Sequence, residues 1–202
     1  MDKKYKLIIF DLGNTIIRFD HNISAKKLAE RFGLDQKAIY NTFFDSEVTR
    51  KFDTGAITPR QFYSEVKRIL GIDLPYKEFA GIWSNVFWED EKACGLVRRL
   101  KERHKLCLLS NVNKLHFDHI KKKFDIIKVF DYVVLSYLVG ALKPDRKIYE
   151  YAGRLAGIDF PDILYIDDRE DLIKEAGSYG IESLKFDGAA KLEGWLLERK
   201  VL

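Results

Sequence analysis

The chain of 202 residues has only two cysteines, Cys94 and Cys107, and they form neither a CxxC motif nor a metal-type pair. This scarcity excludes a disulfide-stapled scaffold and a zinc module, and it indicates a reducing compartment. Long hydrophobic runs are also missing. The longest, 132–142, is interrupted by a serine and a glycine and is too short to span a membrane. The apolar run 7–10 is too short for a signal peptide. We therefore expect a cytoplasmic protein without a membrane segment.

An excess of charge of one sign is absent as well. Lysine and arginine total 35, aspartate and glutamate total 31, and the net charge is +4. This balance gives no reason to expect a nucleic acid or a membrane surface as partner. Hydrophobic residues make up 47% and charged residues 33% of the chain, which is typical of a globular protein with a sizeable core.

Short apolar segments alternate with helical patterns along most of the chain. The predicted strands are 5–10, 106–109, 132–135, 163–166 and 183–186. The predicted helices are 91–103, 114–123, 145–156, 169–179 and 189–199. Continuous apolar strands separated by helices favour an α/β fold, with an open parallel, Rossmann-like sheet flanked by helices.

The segment between the first two predicted strands breaks this alternation. Residues 19–88 contain no strong strand pattern and instead show three or four amphipathic helical patterns. One of them begins at Thr58, where Pro59 and Gln61 complete a capping box with proline at the first helical position. We therefore predict a small helical bundle, 19–88, inserted after the first strand of an α/β domain formed by 1–18 and 89–202.

Polar side chains cluster where the predicted strands end. A single polar residue after a strand is most often a helix cap or a turn residue. Four successive strand ends, however, meet at one crevice of a parallel sheet, where ligands bind. The residues at these ends are Asp11, Ser110, Asn111, Lys143, Asp167 and Asp168.

These residue types suit a phosphorylated ligand. Asp167 and Asp168 repel each other unless a cation lies between them, and their oxygens favour Mg²⁺. The metal and Lys143 would neutralise phosphate oxygens, which Ser110 would also hydrogen-bond. Asp11, placed against phosphorus, can act as a nucleophile through an aspartyl phosphate.

At these residues the chain resembles the haloacid dehalogenase-like hydrolase superfamily. The four motifs occur in the family's order as Phe-Asp-Leu-Gly-Asn-Thr (10–15), Leu-Ser-Asn (109–111), Lys-Pro (143–144) and Ile-Asp-Asp (166–168). The resemblance covers the α/β part, and the helical insertion is similar to the small helical cap of this superfamily. Within this superfamily, the chain is most similar to bacterial α-glucose-1-phosphate phosphatase-like members.

The resemblance implies a role for each matching residue. Asp11 would be the nucleophile. The Mg²⁺ ligands would be Asp11, the backbone carbonyl of Gly13, Asp168 and, as a further ligand or its support, Asp167. The residues on the phosphoryl or substrate side would be Ser110, Lys143, Asn111 and Thr15.

Two positions depart from the family's pattern. Phosphatases of the family normally carry an aspartate as general acid/base where this chain has Gly13. Losing such help typically costs about 100- to 10,000-fold in rate, and less with a good leaving group such as an anomeric or acyl phosphate. A residue of the cap or a water could substitute, and His21 and Asp20 are candidates. The second departure is Leu172. It lies four positions after the aspartate pair, where members of the family often have a polar residue.

The preferred interpretation is a Mg²⁺-dependent phosphatase of small phosphorylated metabolites. The alternative is a non-catalytic phosphate- or metal-binding module that has lost function at Gly13 and Leu172. A haloacid dehalogenase is disfavoured, because a metal-free site gains nothing from the adjacent carboxylates of Asp167 and Asp168. The sequence leaves open whether the protein is a monomer or a homodimer.

Overall fold

A five-stranded parallel sheet organises the molecule, of which the computed structural model describes residues 5–44 and 46–202. In chain order the strands of this sheet and of a second, two-stranded sheet are β1 (Leu7–Phe10), β2 (Ile17–Phe19), β3 (Phe87–Glu89), β4 (Lys105–Ser110), β5 (Tyr132–Leu135), β6 (Ile163–Asp167) and β7 (Glu182–Lys185). The main sheet has the order β5-β4-β1-β6-β7. The predicted α/β fold with an open parallel sheet is confirmed.

Eleven α-helices surround and interrupt this sheet within the described ranges. They are α1 (Asn22–Phe32), α2 (Gln36–Phe43), α3 (Glu47–Asp53), α4 (Pro59–Leu70), α5 (Tyr76–Ser84), α6 (Glu91–Lys101), α7 (Lys114–Lys123), α8 (Ser136–Val139), α9 (Arg146–Ala156), α10 (Glu170–Ser178) and α11 (Ala189–Glu198). The five helices predicted for the α/β part are present, with ends that differ by up to two residues. The short helix α8 was not predicted.

The order of the strands determines where a ligand site can lie in this fold. Strand β1 lies at the centre, with β4 on one side and β6 on the other. The chain runs from β1 outward through β4 to β5, and then crosses back to β6 and β7. The carboxyl ends of β4, β1 and β6 therefore flank the point where the strand order reverses, which is where open α/β sheets bind ligands.

Alternating side chains of the central strand enter two different hydrophobic clusters. Ile8 and Phe10 pack on the face covered by α6, α7 and α11, whereas Leu7 and Ile9 pack on the face covered by α9 and α10. All four are at most 1% exposed. A strand buried on both faces requires a continuous apolar sequence, which explains why β1 could be predicted from the sequence alone.

Helices α1–α5, here called the inserted helices, form a third hydrophobic cluster. Its largest buried side chains include Phe43, Phe52, Phe62, Phe79 and Trp83. The antiparallel pair β2 and β3 connects this segment to the α/β part. Neither of these three-residue strands was predicted, and the sequence indicated three or four helices where the structure has five.

The capping box at the start of α4 is confirmed. The Thr58 hydroxyl accepts a hydrogen bond from the Gln61 backbone N–H at 3.3 Å, and the Gln61 side chain accepts one from the Thr58 N–H at 2.8 Å. Pro59 occupies the first helical position. Local sequence therefore determines where this helix begins.

The inserted helices approach the α/β part closely at the start of α8. The Ser136 hydroxyl, at the start of α8, donates to the backbone carbonyl of Asp53 at 2.6 Å and accepts from the Val112 N–H at 2.9 Å. Gly55 has a φ of +73°, and a Cβ built on it would lie 2.2 Å from the backbone oxygen of Tyr137. Only glycine fits this approach of two backbones.

Both cysteines are free and buried, as expected for a chain without a disulfide scaffold. Burial raises the pKa of Cys94 to about 12. Across 5–44 and 46–202, none of the helices has the length and apolar character that crossing a membrane requires.

Candidate active site

Three carboxylates meet at the carboxyl ends of β1 and β6. Asp11 directly follows β1, and its backbone N–H donates to the carbonyl of Ile166 at 2.9 Å. Asp167 is the last residue of β6 and Asp168 is the next residue. One carboxylate oxygen from each of these three aspartates lies within 4.8 Å of the others. The sheet therefore brings together the acidic residues that the sequence predicted.

The Lys143 ammonium bridges two of these carboxylates. Its Nζ lies 2.5 Å from Oδ1 of Asp11 and 2.6 Å from Oδ2 of Asp167. The side chains are nearly inaccessible, at 2% exposure for Lys143, 9% for Asp11 and 1% for Asp167. Burial alone lowers the pKa of Lys143, but the two carboxylates outweigh it and raise that pKa, so the side chain stays charged.

Asp167 is held from three sides. Its Oδ2 accepts from Lys143 and from the Tyr165 hydroxyl, and its Oδ1 accepts from the Arg169 backbone N–H at 2.9 Å. Asp168 is only half-buried. Asp167 is thus oriented by the protein, while Asp168 is the more open of the adjacent pair.

The three carboxylates of the site carry more negative charge than the Lys143 ammonium can neutralise, so a cation can bind beside them. Burial, followed by repulsion from Asp167, raises the pKa of Asp168. Burial likewise raises the pKa of Asp11, to about 7, against the opposing effect of Lys143. Three carboxylates facing one ammonium form a hard-oxygen donor set of the kind that Mg²⁺ prefers.

Ser110 and Asn111 extend the site from the end of β4. Ser110 is 3% exposed and lines the cavity above the carboxylates. The Asn111 side chain makes two hydrogen bonds to the backbone of Lys143. Its Nδ2 donates to the Lys143 carbonyl at 3.1 Å, and its Oδ1 accepts from the Lys143 N–H at 2.7 Å. Asn111 therefore fixes the loop that carries the ammonium.

The remaining predicted site residues lie in two different environments. Gly13 lines the cavity, and a Cβ built there would lie 2.8 Å from Cε1 of Phe19. Thr15 is fully buried and is not among the described residues that line the cavity. Its hydroxyl has no hydrogen-bond partner within 5–44 and 46–202. The structure thus brings Gly13 to the carboxylates.

A cavity of about 220 Å³ opens between the carboxylates and the inserted helices. One wall of this cavity is formed by aromatic and polar side chains. They are Phe19, His21, Phe44, Thr49, Asp53, Trp83, Phe87, Asn113 and His116. Several rings are stacked, with centroids 4.2 Å apart for His21 and Phe44 and 5.4 Å apart for Phe44 and Trp83. Most of this wall comes from chain segments whose sequence indicated only core packing.

Two histidines of this wall are neutral. Burial lowers the pKa of His21 to about 4 and that of His116 to about 3. The Nε2 of His116 lies 3.2 Å from the Trp83 carbonyl, which can only accept, so Nε2 carries the proton. Asp20, the other suggested acid/base, is not one of the cavity residues that the structure describes, and its carboxylate accepts from the Asn22 N–H.

A polar network that the sequence did not indicate joins the inserted helices to α7. The Asn113 Nδ2 donates to the Asp53 carboxylate and to Nδ1 of His116, each at 3.1 Å. Burial raises the pKa of Asp53 to about 6, because its hydrogen bond from Asn113 offsets only part of the desolvation. Asp53 and Asn113 are separated by 60 residues, so no local spacing could reveal the pair.

The second departure from the family's pattern is also visible. Leu172 is 1% exposed and lines the cavity with an apolar side chain. Asp171, one position earlier, faces outward and pairs with Arg169 at 2.6 Å. The polar support that many family members place after the aspartate pair is therefore not supplied by either residue.

The fold and this site define a class of protein. A model of the haloacid dehalogenase-like hydrolase family matches residues 5–178. The match covers most of the chain, and the protein belongs to this family of hydrolases.

Individual relatives are similar along nearly the whole chain. The protein is 22% identical over 184 residues to a sesquiterpene phosphatase from Aspergillus oryzae, with 89% of each chain covered. It is 21% identical over 194 residues to a D-ribitol-5-phosphate phosphatase from Bacteroides thetaiotaomicron, covering 92% of this chain and 93% of that one. A crystal structure of a family enzyme from the same bacterium, in complex with magnesium and inorganic phosphate, is 25% identical. Its TM-score is 0.77, and the alignment covers 90% of this chain and 93% of that one.

Proposed function

We propose that the protein is a Mg²⁺-dependent phosphatase of small phosphorylated metabolites, with sugar phosphates such as sugar-1-phosphates among them. The observation that carries the proposal is the Lys143 ammonium held between Asp11 and Asp167 at the end of the central strands. Such a group binds an anion while it orients the carboxylate beside it. The cavity above them is small and lined by both polar and aromatic side chains, as metabolite sites usually are.

In this reaction Asp11 attacks the phosphorus of the bound ester, and the alcohol leaves. Water then attacks the phosphorus of the aspartyl phosphate and restores the Asp11 carboxylate. Lys143 and the Ser110 hydroxyl hold phosphoryl oxygens during both transfers. Asn111 acts through Lys143, because its side chain contacts the backbone of that residue. Thr15 is not among the described residues that line the cavity, so its place on the substrate side stays a prediction.

The donor set supports a resident Mg²⁺. The residues that would hold it are Asp11, Asp168 and the backbone carbonyl of Gly13, with Asp167 as a further ligand or as the group that orients the others. When bound, Mg²⁺ supplies positive charge that offsets the charge of the phosphoryl oxygens. The relative solved with magnesium and inorganic phosphate supports this assignment.

We also propose that 19–88 is a cap domain on a core domain formed by 1–18 and 89–202. Residues 1–4 of the core and residue 45 of the cap lie outside the described structure. The inserted helices have their own hydrophobic cluster, which supports this division. Residues of both parts line the cavity. A cap in this position would exclude bulk water and select the substrate.

The test is a phosphate-release assay with and without Mg²⁺. The panel would contain para-nitrophenyl phosphate, acetyl phosphate, sugar-1-phosphates and sugar-6-phosphates. We expect release that requires Mg²⁺ and is lost in Asp11→Asn. The matched control is Asp118→Asn, which makes the same chemical change on an exposed carboxylate of α7.

The outcome also decides between the candidate functions. No release from any substrate, together with Mg²⁺ binding in a calorimetric titration, would refute the phosphatase and favour the non-catalytic module. In that case Gly13 and the apolar Leu172 would be the residues responsible. Activity that persists in Asp11→Asn would refute the assignment of the nucleophile.

A further inference from the structure

The proposed reaction lacks a proton donor at its expected place. Gly13 has no side chain, and the ring of Phe19 occupies the space next to it. In an in-line transfer the leaving oxygen lies opposite Asp11. A donor is therefore needed on the side of the cavity that faces the inserted helices.

Few titratable groups line that side. Among the described cavity residues, those other than the three aspartates and Lys143 are His21, Asp53, His116 and Arg169. Both ring nitrogens of His116 are engaged, by Asn113 and by the Trp83 carbonyl. Arg169 pairs with Asp171 outside the cavity. With its lowered pKa, His21 carries no proton to give at neutral pH.

Asp53 differs from these groups. It ends α3, and the α/β part fixes it twice: Ser136 donates to its backbone carbonyl at 2.6 Å, and Asn113 donates to its Oδ1 at 3.1 Å. Its second carboxylate oxygen makes no hydrogen bond within the described part of the chain. The Asp53 carboxyl is half-buried, accepts from one neutral donor, and forms no ion pair with the residues that the structure describes. These surroundings stabilise the protonated form more than water does, so that both the acid and the carboxylate are populated near neutral pH. The pKa of about 6 agrees with this environment.

We propose that Asp53 is the general acid and base of the reaction, in place of the side chain that Gly13 does not provide. This inference rests on the proposed phosphatase function and adds to it a residue with a defined chemical role. Asp53 lines the same cavity as Asp11 and comes from the inserted helices rather than from the sheet. Asn113 and Ser136 are the positioning residues that hold it there.

Protons are conserved over the two phosphoryl transfers. As Asp11 forms its bond to phosphorus, the bond from phosphorus to the ester oxygen breaks, and the Asp53 carboxylic acid gives its proton to that oxygen. Water then bonds to phosphorus and the Asp11–phosphorus bond breaks. The Asp53 carboxylate takes one proton of that water and becomes the acid again. The sum is hydrolysis of the ester to an alcohol and hydrogen phosphate.

The experiment compares Asp53→Asn with the wild-type enzyme on two leaving groups. Nitrophenolate leaves without a proton, whereas the alkoxide of a sugar-6-phosphate needs one. We expect a loss of about 100-fold or more in kcat on the sugar phosphate. On para-nitrophenyl phosphate we expect an unchanged initial burst of nitrophenolate, slower steady-state release, and accumulation of the aspartyl phosphate, detected as one added phosphoryl group by mass spectrometry.

The amide in Asp53→Asn retains the oxygen that accepts from Asn113, so the fold should be preserved, which a melting curve checks. Asp118→Asn is the control, and Asp53→Glu should recover part of the lost rate because it restores an acid. Equal losses on both substrates without accumulated phosphoenzyme would overturn the inference. So would a change confined to KM, which would assign Asp53 to substrate binding. A wild-type enzyme that forms no phosphoenzyme and releases no phosphate would instead refute the phosphatase itself.

Discussion

Replacing Lys143 by methionine removes an ammonium that lies 2.5 Å from Asp11 and 2.6 Å from Asp167. The three side chains are 9% exposed or less, so water cannot take over the lost contacts. Removing one partner of a buried ion pair costs about 3–5 kcal/mol of stability. For a chain of this size, 1 kcal/mol shifts Tm by about 2–4 °C. We therefore expect the Tm of Lys143→Met to fall by roughly 6–20 °C in EDTA.

Divalent cation should restore part of this loss. Without Lys143 the three carboxylates face one another with no positive charge between them, so Mg²⁺ bound there replaces some of the missing attraction. The assay is thermal unfolding across a series of Mg²⁺ concentrations, with EDTA as the reference. We expect Mg²⁺ to raise the Tm of Lys143→Met more than that of the wild type. The control, Lys128→Met, removes an exposed ion pair with Asp125 and should leave Tm unchanged.

Two results would refute this reasoning. A loss below about 1 kcal/mol in EDTA would show that the buried carboxylates do not depend on the ammonium, against the cost expected for an unpaired buried charge. An equal Mg²⁺ response in both proteins would show that the cation does not bind at the carboxylates that Lys143 bridges.

Three further predictions follow from contacts around the site. Asn111→Ala should lower kcat more than it changes KM, because it frees the Lys143 loop; Asn111→Asp, which keeps the acceptor, should be intermediate in steady-state kinetics. Burial lowers the pKa of His116 from its ordinary value of 6.5 to about 3 in the folded chain. As the pH is lowered from 6.5 toward 3, the unfolded chain binds this proton and the folded chain does not, so the free energy of unfolding should fall by up to about 1.4 kcal/mol per pH unit. His116→Gln should show a shallower fall in urea unfolding at pH 5.5 and 7.5. Gly55→Ala should destabilise more than Gly71→Ala in urea unfolding. Both glycines have positive φ, but a Cβ at Gly71 meets no atom within 4 Å, so that change carries only the left-handed strain of about 1–2 kcal/mol.

The sequence predicted the α/β sheet and the residues at its strand ends for the same physical reason. A strand buried on both faces must be apolar throughout, so the first polar residue marks both its end and the ligand crevice. Asp11, Ser110 and Asp167 were recognisable in this way. The bridge from Lys143 to two carboxylates was not, because it depends on side chains that meet only in the folded molecule.

The features that were not predicted depend on short elements or distant contacts. Strands β2 and β3 have three residues each, which is too few to show an alternating pattern. Helix α3 has seven residues and buries one of them, Phe52, so its apolar periodicity is weak. Asp53 lies at its end among charged and polar neighbours, and only its docking on Asn113 and Ser136 identifies it. Of the two residues suggested as acid/base, His21 lines the cavity and Asp20 is not among the described lining residues.

The contact between Gly13 and Phe19 has a consequence for how this chain can change over evolutionary time. Any side chain at Gly13 must first displace a ring that packs against His21 and Phe87. A single substitution to aspartate therefore disturbs the cavity wall before it contributes any chemistry. We expect the two positions to be coupled, so that an aspartate at 13 is tolerated better together with a smaller residue at 19. Lineages of this type are expected to keep glycine and the aromatic ring together.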